Sequence, residues 1–140
     1  LRGEGGNDTL DGGSGADTLI GGSGRDLMTG GSGADSFVFT SLSDSVAGTA
    51  RDVILDFEQG LDIIDLSAID AITGGADDAF TWIGDGAFSG SGRSGTAGEL
   101  RFVQNGVSTI ILADVDGDRV TDFSIKLMGD YALGASDFVL

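Results

Sequence analysis

The sequence contains no cysteine and no histidine among its 140 residues. Disulfide bonds, thiolate or imidazole zinc ligands, and every nucleophilic dyad or triad that needs an imidazole base are therefore excluded. Proline is also absent, although 26 residues are glycine. No apolar run is long enough to span a membrane, and no basic, apolar-cored signal peptide opens the sequence. Most familiar catalytic chemistry is thus not available to these residues.

Positive charge is scarce as well. The sequence has 7 Lys and Arg against 23 Asp and Glu, which gives a formal net charge of -16. Nucleic acid and anionic membrane surfaces are poor partners for such a chain, whereas cations are natural ones. Hydrophobic residues make up 40% of the sequence, enough to bury a core in one compact domain or in two small units that share one.

Residues 3–38 divide into four nonapeptides, GEGGNDTLD, GGSGADTLI, GGSGRDLMT and GGSGADSFV. Position six is always aspartate and position eight is always a large apolar residue, so one face of the repeat is ionic and the other belongs to the core. The residues at position eight are Leu10, Leu19, Met28 and Phe37. Leu1 and Arg2 fit positions eight and nine of a preceding repeat, which predicts that the array is longer than these four copies.

The glycines at positions one, two and four allow positive φ angles and inward-facing carbonyl groups. Six residues of turn followed by three of strand make half of a flattened coil, so two repeats close one coil and repeats one and three stack on the same side. At a strand spacing of roughly 4.8 Å, the stacked carboxylates would repel one another unless a cation lay between them. Calcium fits, because it accepts about six to eight carboxylate and carbonyl oxygens.

We therefore predict two or more calcium ions in the turns of the repeats. Glu4 stands where the pattern expects glycine, so the first turn is the least regular. The predicted ligand-bearing residues are Gly3, Gly5, Gly6, Asp8, Gly12, Gly13, Ser14, Gly15, Asp17, Gly21, Gly22, Ser23, Gly24, Asp26, Gly30, Gly31, Ser32, Gly33 and Asp35.

One further aspartate extends the register, since Asp44 lies nine residues after Asp35 in a segment without glycine. It could form a degenerate fifth turn that offers a carboxylate to calcium beside Asp26, together with Asp52. An ordinary aspartate in an exposed turn is an equally good interpretation.

A second acidic loop, DVDGDRVTD at residues 114–122, places Asp114, Asp116, Asp118 and Asp122 at loop positions one, three, five and nine. It is not an EF-hand, because Arg119 replaces the glycine of position six and Ile125 stands at position twelve. Asp116-Gly117 also makes a good hairpin turn. A plain turn is therefore favoured, and an extra calcium site stays open.

No nonapeptide follows Phe39, and the pattern there indicates short strands. DVILDFEQGLDIIDLSAI, residues 52–69, predicts two strands around Gln59-Gly60, and ELRFVQ, Asn105-Gly106 and VSTIILAD predict a hairpin. The alternation in VTDFSIKLMG predicts a half-buried strand. We expect these last three strands to form an antiparallel meander, with FTWIG as a fourth candidate, that packs against the repeats as a cap. The expected core of this half is Val53, Ile54, Leu55, Phe57, Ile63, Ile64, Leu66 and Trp82.

The four repeats match G-G-x-G-x-D-x-U-x, so the chain resembles RTX proteins, whose parallel β-roll binds calcium. The segments GGSGADSFVF, DVILDFEQGLDIIDLSAID, AFSGSGRSGTAGELRF, DVDGDRVTDFSIKLMGD and ASDFVL are similar, in this order, to the C-terminal domain of serralysin-type secreted metalloproteases. The resemblance implies an all-β fold: a right-handed parallel β-roll at 1–38, followed by an antiparallel, β-sandwich-like cap at 39–140.

The same resemblance implies calcium-dependent folding outside the cell and a C-terminal signal for the type I secretion machinery. The matching signal residues are Asp137, Phe138, Val139 and Leu140, which without the family would simply be a final strand. The zinc motif of that family, H-E-x-x-H-x-x-G-x-x-H, needs histidines that this chain lacks. We therefore expect a non-catalytic module of a secreted protein.

Two other functions remain open. A polysaccharide- or surface-binding module, similar to those of alginate epimerases, would need a basic groove, and the basic residues are scattered along the sequence. They are Arg2, Arg25, Arg51, Arg93, Arg101, Arg119 and Lys126. A fragment of a lytic toxin would need apolar or acylated segments that the sequence does not show. The sequence leaves the oligomeric state open.

Overall fold

The structure is a computed structural model that describes residues 1–74, 76–90 and 95–140. Residues 91–94, inside the segment AFSGSGRSGTAGELRF, and residue 75 lie outside the described residues. Within these ranges the chain is all-β, apart from one turn of 3₁₀ helix at Ala135–Asp137. The strands are β1 (Thr9–Asp11), β2 (Thr18–Leu19), β3 (Leu27–Thr29), β4 (Ser36–Val38), β5 (Asp52–Ile54), β6 (Ile63–Asp65), β7 (Thr81–Gly84), β8 (Glu99–Gln104), β9 (Ser108–Asp114), β10 (Phe123–Met128) and β11 (Phe138–Val139).

The repeats form the coil that their period predicts. Strand β1 pairs in parallel with β3, with Leu10 opposite Met28, and β2 pairs in parallel with β4, with Leu19 opposite Phe37. Every partner is therefore eighteen residues away, which is two repeats. These four apolar side chains are at most 5% exposed, because the inward position of each short strand faces the opposite sheet. The predicted stacking of alternate repeats is confirmed.

Both sheets continue after the last nonapeptide. Strand β5 adds to β3, with Ile54 opposite Met28, and β6 adds to β4, with Ile64 opposite Phe37. The final sheets have the order β1-β3-β5-β10-β9-β8-β7 and β11-β6-β4-β2. The domain boundary after residue 38 stays a prediction, and the hydrogen bonds of both sheets run across it.

The second half of the chain differs in two respects from the predicted cap. The hairpin of β8 and β9 and the antiparallel pairing of β9 with β10 are present. However, β10 also pairs in parallel with β5, so these strands extend one sheet of the coil instead of packing over it. Strand β7 joins β8 in parallel and is not part of the meander. The unpaired edge of β5 explains the arrangement, since its backbone groups gain partners from β10.

The core lies between the two sheets and is rich in aromatic side chains, with Phe37, Phe39 and Phe123 at most 1% exposed. Three residues of the predicted core differ. Leu55 is 42% exposed, because it follows the inward-facing Ile54. Ile63 precedes the inward-facing Ile64 and is only partly buried, and Trp82 is only partly buried as well. Strand β11 closes the smaller sheet against β6. Within the described ranges, no helix has the length and apolar character needed to cross a bilayer.

Candidate metal centre

The turns of the repeats have a backbone that favours glycine. Gly31 has a φ of 94°, and a Cβ atom there would collide with the carbonyl oxygen of Gly13 in the neighbouring coil. Glu4 stands at the equivalent position of the first repeat and has a φ of 74°, so it adopts the left-handed conformation despite its side chain. The irregular first turn therefore keeps the geometry of the others, at a cost of about 1 kcal/mol.

The repeat aspartates form two ladders, one on each side of the coil. The backbone N–H of Asp8 donates to Asp26 Oδ1 at 2.8 Å, and the N–H of Asp26 donates to Asp52 Oδ1 at 2.8 Å. On the other side, the N–H of Asp17 donates to Asp35 Oδ1 at 2.8 Å. One oxygen of each acceptor carboxylate is thus used to hold the neighbouring coil in register.

One oxygen in each of five ladder carboxylates has no hydrogen-bond donor in the described ranges. Five Oδ2 atoms are buried and accept no hydrogen bond among the described residues, and they belong to Asp8, Asp17, Asp26, Asp35 and Asp52. A buried oxygen that carries negative charge and has no donor costs several kcal/mol unless a cation compensates it. The regular repetition of the same orphaned atom on both sides indicates a common ligand.

Backbone carbonyl groups converge on the same oxygens. A Cβ atom on Gly3 would lie 2.6 Å from Asp8 Oδ2 and 2.6 Å from the carbonyl oxygen of Gly21. On the other side, a Cβ atom on Gly12 would lie 2.5 Å from the carbonyl oxygen of Gly30 and 3.0 Å from Asp17 Oδ2. Glycine therefore leaves open a space that is lined by carboxylate and carbonyl oxygens, the hard donors that calcium prefers.

The electrostatics of the ladder show how much negative charge is concentrated there. Burial raises the pKa of Asp26, with further contributions from the charges of Asp8 and Asp44. Burial also raises the pKa of Asp52 to about 7, and the charges of Asp26 and Asp44 act in the same direction. Without a cation, the ionised carboxylates of the ladder thus destabilise the folded state. A divalent ion bound between them would instead favour their ionised form and stabilise the fold.

Asp62 is a ladder residue that the sequence analysis missed. Its Oδ1 accepts the N–H of Asp35 at 3.0 Å, as Asp52 does for Asp26, but its Oδ2 accepts the N–H of Glu58 at 2.9 Å. The ladder on this side therefore ends in a carboxylate whose two oxygens both have donors. The sequence does contain a pattern that indicates Asp62, because Gly60, Asp62 and Ile64 retain the G-x-D-x-U half of the repeat.

Asp56 is also absent from the predicted set. Its Oδ1 and Oδ2 accept the N–H groups of Gly30 and Gly31, both at 2.8 Å. In the preceding turn, the N–H of Gly12 donates to the carbonyl oxygen of Thr29 instead. A side-chain carboxylate thus replaces the backbone carbonyl that a further regular coil would supply, and it terminates the last turn of this side.

Asp44 does not continue the ladder. Its Oδ2 accepts the N–H and the hydroxyl of Thr40 and the N–H of Ser41, at 2.7, 3.0 and 3.0 Å. Its main structural role is therefore to close a turn, although the residue is only 6% exposed. Its charge acts on both Asp26 and Asp52, so the carboxylate is near the ladder, and its role as a calcium ligand stays a prediction.

The loop at 114–122 brings together three of its four predicted residues. Carboxylate oxygens of Asp114, Asp116 and Asp122 lie within 4.8 Å of one another, and the group does not include Asp118. Asp114 is already engaged, because its two oxygens accept the N–H groups of Gly117 and Arg119 at 2.7 and 2.8 Å. The loop is thus a hydrogen-bonded turn, and calcium binding there stays a prediction.

The C-terminal residues are part of the folded structure. Asp137 is 2% exposed, and its Oδ2 accepts the N–H of Gly134 at 2.8 Å. Phe138 packs against Trp82 with ring centroids 4.8 Å apart, and the carbonyl oxygen of Val139 accepts the N–H of Leu66 at 2.8 Å. The sequence-predicted signal thus forms an edge strand of the smaller sheet.

A coil of glycine-rich nonapeptides that stacks aspartates on both sides defines an RTX-type β-roll module. The family comparison is more specific: the chain belongs to the family described as Peptidase M10 serralysin C terminal, whose model matches residues 3–140. That domain is a non-catalytic module of the serralysins. The predicted resemblance is confirmed over almost the whole chain.

Solved structures support the same fold. The AlgE6R2 subunit of the Azotobacter vinelandii mannuronan C5-epimerase is 34% identical, with a TM-score of 0.69, and the match covers 100% of this chain and 80% of that chain. The AlgE6R3 subunit of the same enzyme is 26% identical, with a TM-score of 0.60, and the match covers 97% of this chain and 78% of that chain. The all-β fold class is therefore confirmed.

Proposed function

We propose that this chain is a calcium-dependent folding module of a secreted protein, and that its C-terminus carries the signal for type I secretion. The observation that carries the proposal is the set of buried Oδ2 atoms that repeat along both ladders and have no partner among the residues described above. Calcium would supply the positive charge between successive turns. A serralysin-like protease is the parent protein that the family favours.

Folding and ion binding are coupled in this proposal. The ladder exists only when the coils are stacked, because the Oδ1 atoms of Asp26, Asp35 and Asp52 each accept an N–H group eighteen or more residues away. In an unstacked chain the aspartates are solvated and the glycine backbone is free, which favours the unfolded state. Calcium that binds only the stacked form adds its binding free energy to folding. The chain would stay unfolded at low intracellular calcium and fold outside the cell.

A calcium titration followed by far-UV circular dichroism tests this function, with magnesium as the control ion. Asp17→Ala and Asp35→Ala remove ladder carboxylates, so both should shift the midpoint of folding to higher calcium. Asp78→Ala is the control, because among the described residues only the backbone groups of Asp78 make hydrogen bonds. An equal shift for all three variants, or full β structure in excess chelator, would contradict the calcium switch.

The secretion signal needs a variant that does not disturb folding. The side chain of Val139 is 44% exposed, whereas Phe138 is buried, so Val139→Ser leaves the core unchanged. If the secretion machinery reads these residues in the unfolded chain, Val139→Ser lowers export while the calcium titration of the purified protein stays the same. Unchanged export of both Val139→Ser and a chain shortened after residue 136 would rule out the signal.

Polysaccharide binding is a second candidate function. It is favoured by the similarity to two subunits of an enzyme that acts on mannuronan, an acidic polysaccharide. In this case the module would attach a secreted enzyme to its polymer while calcium maintains the fold. Retention of the calcium-loaded protein on immobilised polysaccharides, compared with its retention on neutral dextran, is the direct test.

A further inference from the structure

Three basic side chains that are far apart in the sequence line one groove of the folded protein. The groove has a volume of about 400 Å³, and its walls include Arg25, Arg51 and Lys126. The apolar side chains of Val53 and Ile110 also line it, together with Thr49. Three of the chain's seven basic residues thus meet in one place on a protein with a strong excess of acidic groups.

The register of the larger sheet explains this convergence. Lys126 is the pairing partner of Val53 on β5 and of Ile110 on β9, so these three residues form a row across neighbouring strands. The row lies on the outer face, because the flanking Ile125 and Leu127 are fully buried in the core. Arg51 directly precedes β5, and Arg25 lies two residues before β3. The groove therefore depends on the parallel pairing of β5 with β10, which no local sequence pattern indicates.

The three cationic groups are available for a ligand. In the described part of the chain, the one side-chain hydrogen bond of the three runs from Arg51 Nε to the carbonyl oxygen of Gly48. The carboxyl group of Asp52 feels the charge of Arg25, but this residue is fully buried and belongs to the ladder inside the coil. Along the row itself, the neighbours of Lys126 are apolar. The groove is therefore a local positive surface with an apolar floor.

We propose that this groove binds a segment of an acidic polysaccharide, with Arg25, Arg51 and Lys126 holding carboxylate groups and the partly exposed Ile110 contacting the sugar rings. This inference rests on the second candidate function above and names its site. The groove falls within the usual size of pockets for small organic ligands, about 300 to 1,000 Å³, and so exceeds the needs of a single inorganic anion. Thr49 adds a hydroxyl that can pair with the hydroxyls of a sugar.

Other polyanions fit less well. Nucleic acid is held by extended basic surfaces and aromatic stacking, whereas this groove has three cations and an aliphatic floor. The neighbouring ladder carboxylates of Asp26 and Asp52 are fully buried, so a short glycan on the outer face meets the three cations rather than these acids.

The test is calorimetric titration of the calcium-loaded chain with a mannuronate hexasaccharide, in the absence of any other polymer. The variants are Arg25→Gln, Arg51→Gln and Lys126→Gln, each of which removes one charge from the groove. Arg2→Gln and Arg119→Gln are the controls, because they remove the same charge elsewhere on the surface. Circular dichroism of every sample shows whether the calcium-dependent fold is intact, which separates loss of the groove from loss of the folding function.

We expect each groove variant to weaken binding by about fivefold, the triple variant to abolish it, and the controls to change it by less than about twofold. Affinity should fall as NaCl is raised from about 50 to about 300 mM. Equal losses in groove and control variants would overturn the proposal. It would also be overturned if a glutamate hexapeptide or a neutral hexasaccharide bound as tightly as the mannuronate probe, or if the folded wild-type chain did not bind the probe.

Discussion

Replacement of Asp52 by asparagine should have opposite effects with and without calcium. Asp52 Oδ1 accepts the N–H of Asp26, and its buried Oδ2 accepts no hydrogen bond from the residues that the structure describes. The amide oxygen of asparagine can keep the first hydrogen bond, while the charge of the carboxylate disappears. In chelator the variant therefore loses an unfavourable buried charge, whereas in calcium it loses a charged ligand.

The destabilisation that the Asp52 charge causes in chelator follows from the pKa of this residue, which burial raises from 3.8 to about 7. At neutral pH this rise corresponds to at most about 4 kcal/mol of destabilisation, which we reduce to about 2 kcal/mol because solvent screens part of it. The sign follows from linkage: an acid whose pKa is higher in the folded state destabilises the fold as it ionises. The calcium-free wild type should thus lose stability between about pH 4 and pH 7, and Asp52→Asn should lose less.

The assay is urea unfolding followed by circular dichroism, in chelator and in saturating calcium, at about pH 5 and about pH 8. In the calcium titration, we expect Asp52→Asn to reach its folding midpoint at about tenfold more calcium than the wild type. At a fixed calcium concentration, this corresponds to about 1.4 kcal/mol less stabilisation by the ion. If the calcium-free chain is too unfolded to show a urea transition, the residual β signal in chelator ranks the stability of the wild type and Asp52→Asn instead.

Asp62→Asn is the matched control for this reasoning. Asp62 occupies the corresponding place in the other ladder, but both of its oxygens accept N–H groups. An asparagine there would place its NH₂ group against the N–H of Glu58 or Asp35, so it should destabilise the fold by about 1 to 3 kcal/mol with or without calcium. If Asp52→Asn were destabilising to the same extent in both conditions, its carboxylate would be a structural acceptor and the assignment to a calcium site would be refuted.

Two further substitutions probe the coil and its cap. Gly31→Ala should be more destabilising in calcium than Gly13→Ala by at least about 2 kcal/mol. Both glycines have a φ of 90° or more, but within the described part of the chain a Cβ atom would meet the backbone of a neighbouring coil at Gly31 and not at Gly13. Equal unfolding midpoints in urea would contradict the close stacking. Phe138→Ala should lower the free energy of unfolding by about 3 to 5 kcal/mol. It should also shift the fluorescence of Trp82 towards longer wavelength, because the two ring centroids lie 4.8 Å apart. An unchanged spectrum of the folded protein would show that β11 does not dock there.

The sequence by itself determined the parts of the molecule that repeat. A period of nine with aspartate at position six and an apolar residue at position eight specifies one ionic and one buried face, and the structure has that coil. The Asn105-Gly106 turn was also sufficient to predict the hairpin of β8 and β9. The alternation of Phe123, Ile125 and Leu127 was sufficient to predict β10. These features were predictable because each depends on residues that are close in sequence.

The tertiary structure decided which aspartates join the ladders after the repeats end. Asp44, Asp52 and Asp62 are each followed two residues later by an apolar residue, so local sequence offers three candidates. Asp52 and Asp62 become rungs because Ile54 and Ile64 are buried opposite Met28 and Phe37. Asp44 turns back onto Thr40, and Val46 remains 42% exposed. Packing across the core therefore determines which segment becomes the next strand of each sheet. The nine-residue spacing alone does not predict this.

The basic groove and the docking of the C-terminus have the same origin. Arg25, Arg51 and Lys126 look scattered along the chain, and they meet only because β10 fills the open edge of β5. Likewise, β11 reaches β6 across more than seventy residues of sequence. Sheet edges must find hydrogen-bond partners wherever the chain supplies them. The repeat thus fixes the coil from local residues, and long-range pairing places the rest of the chain around it.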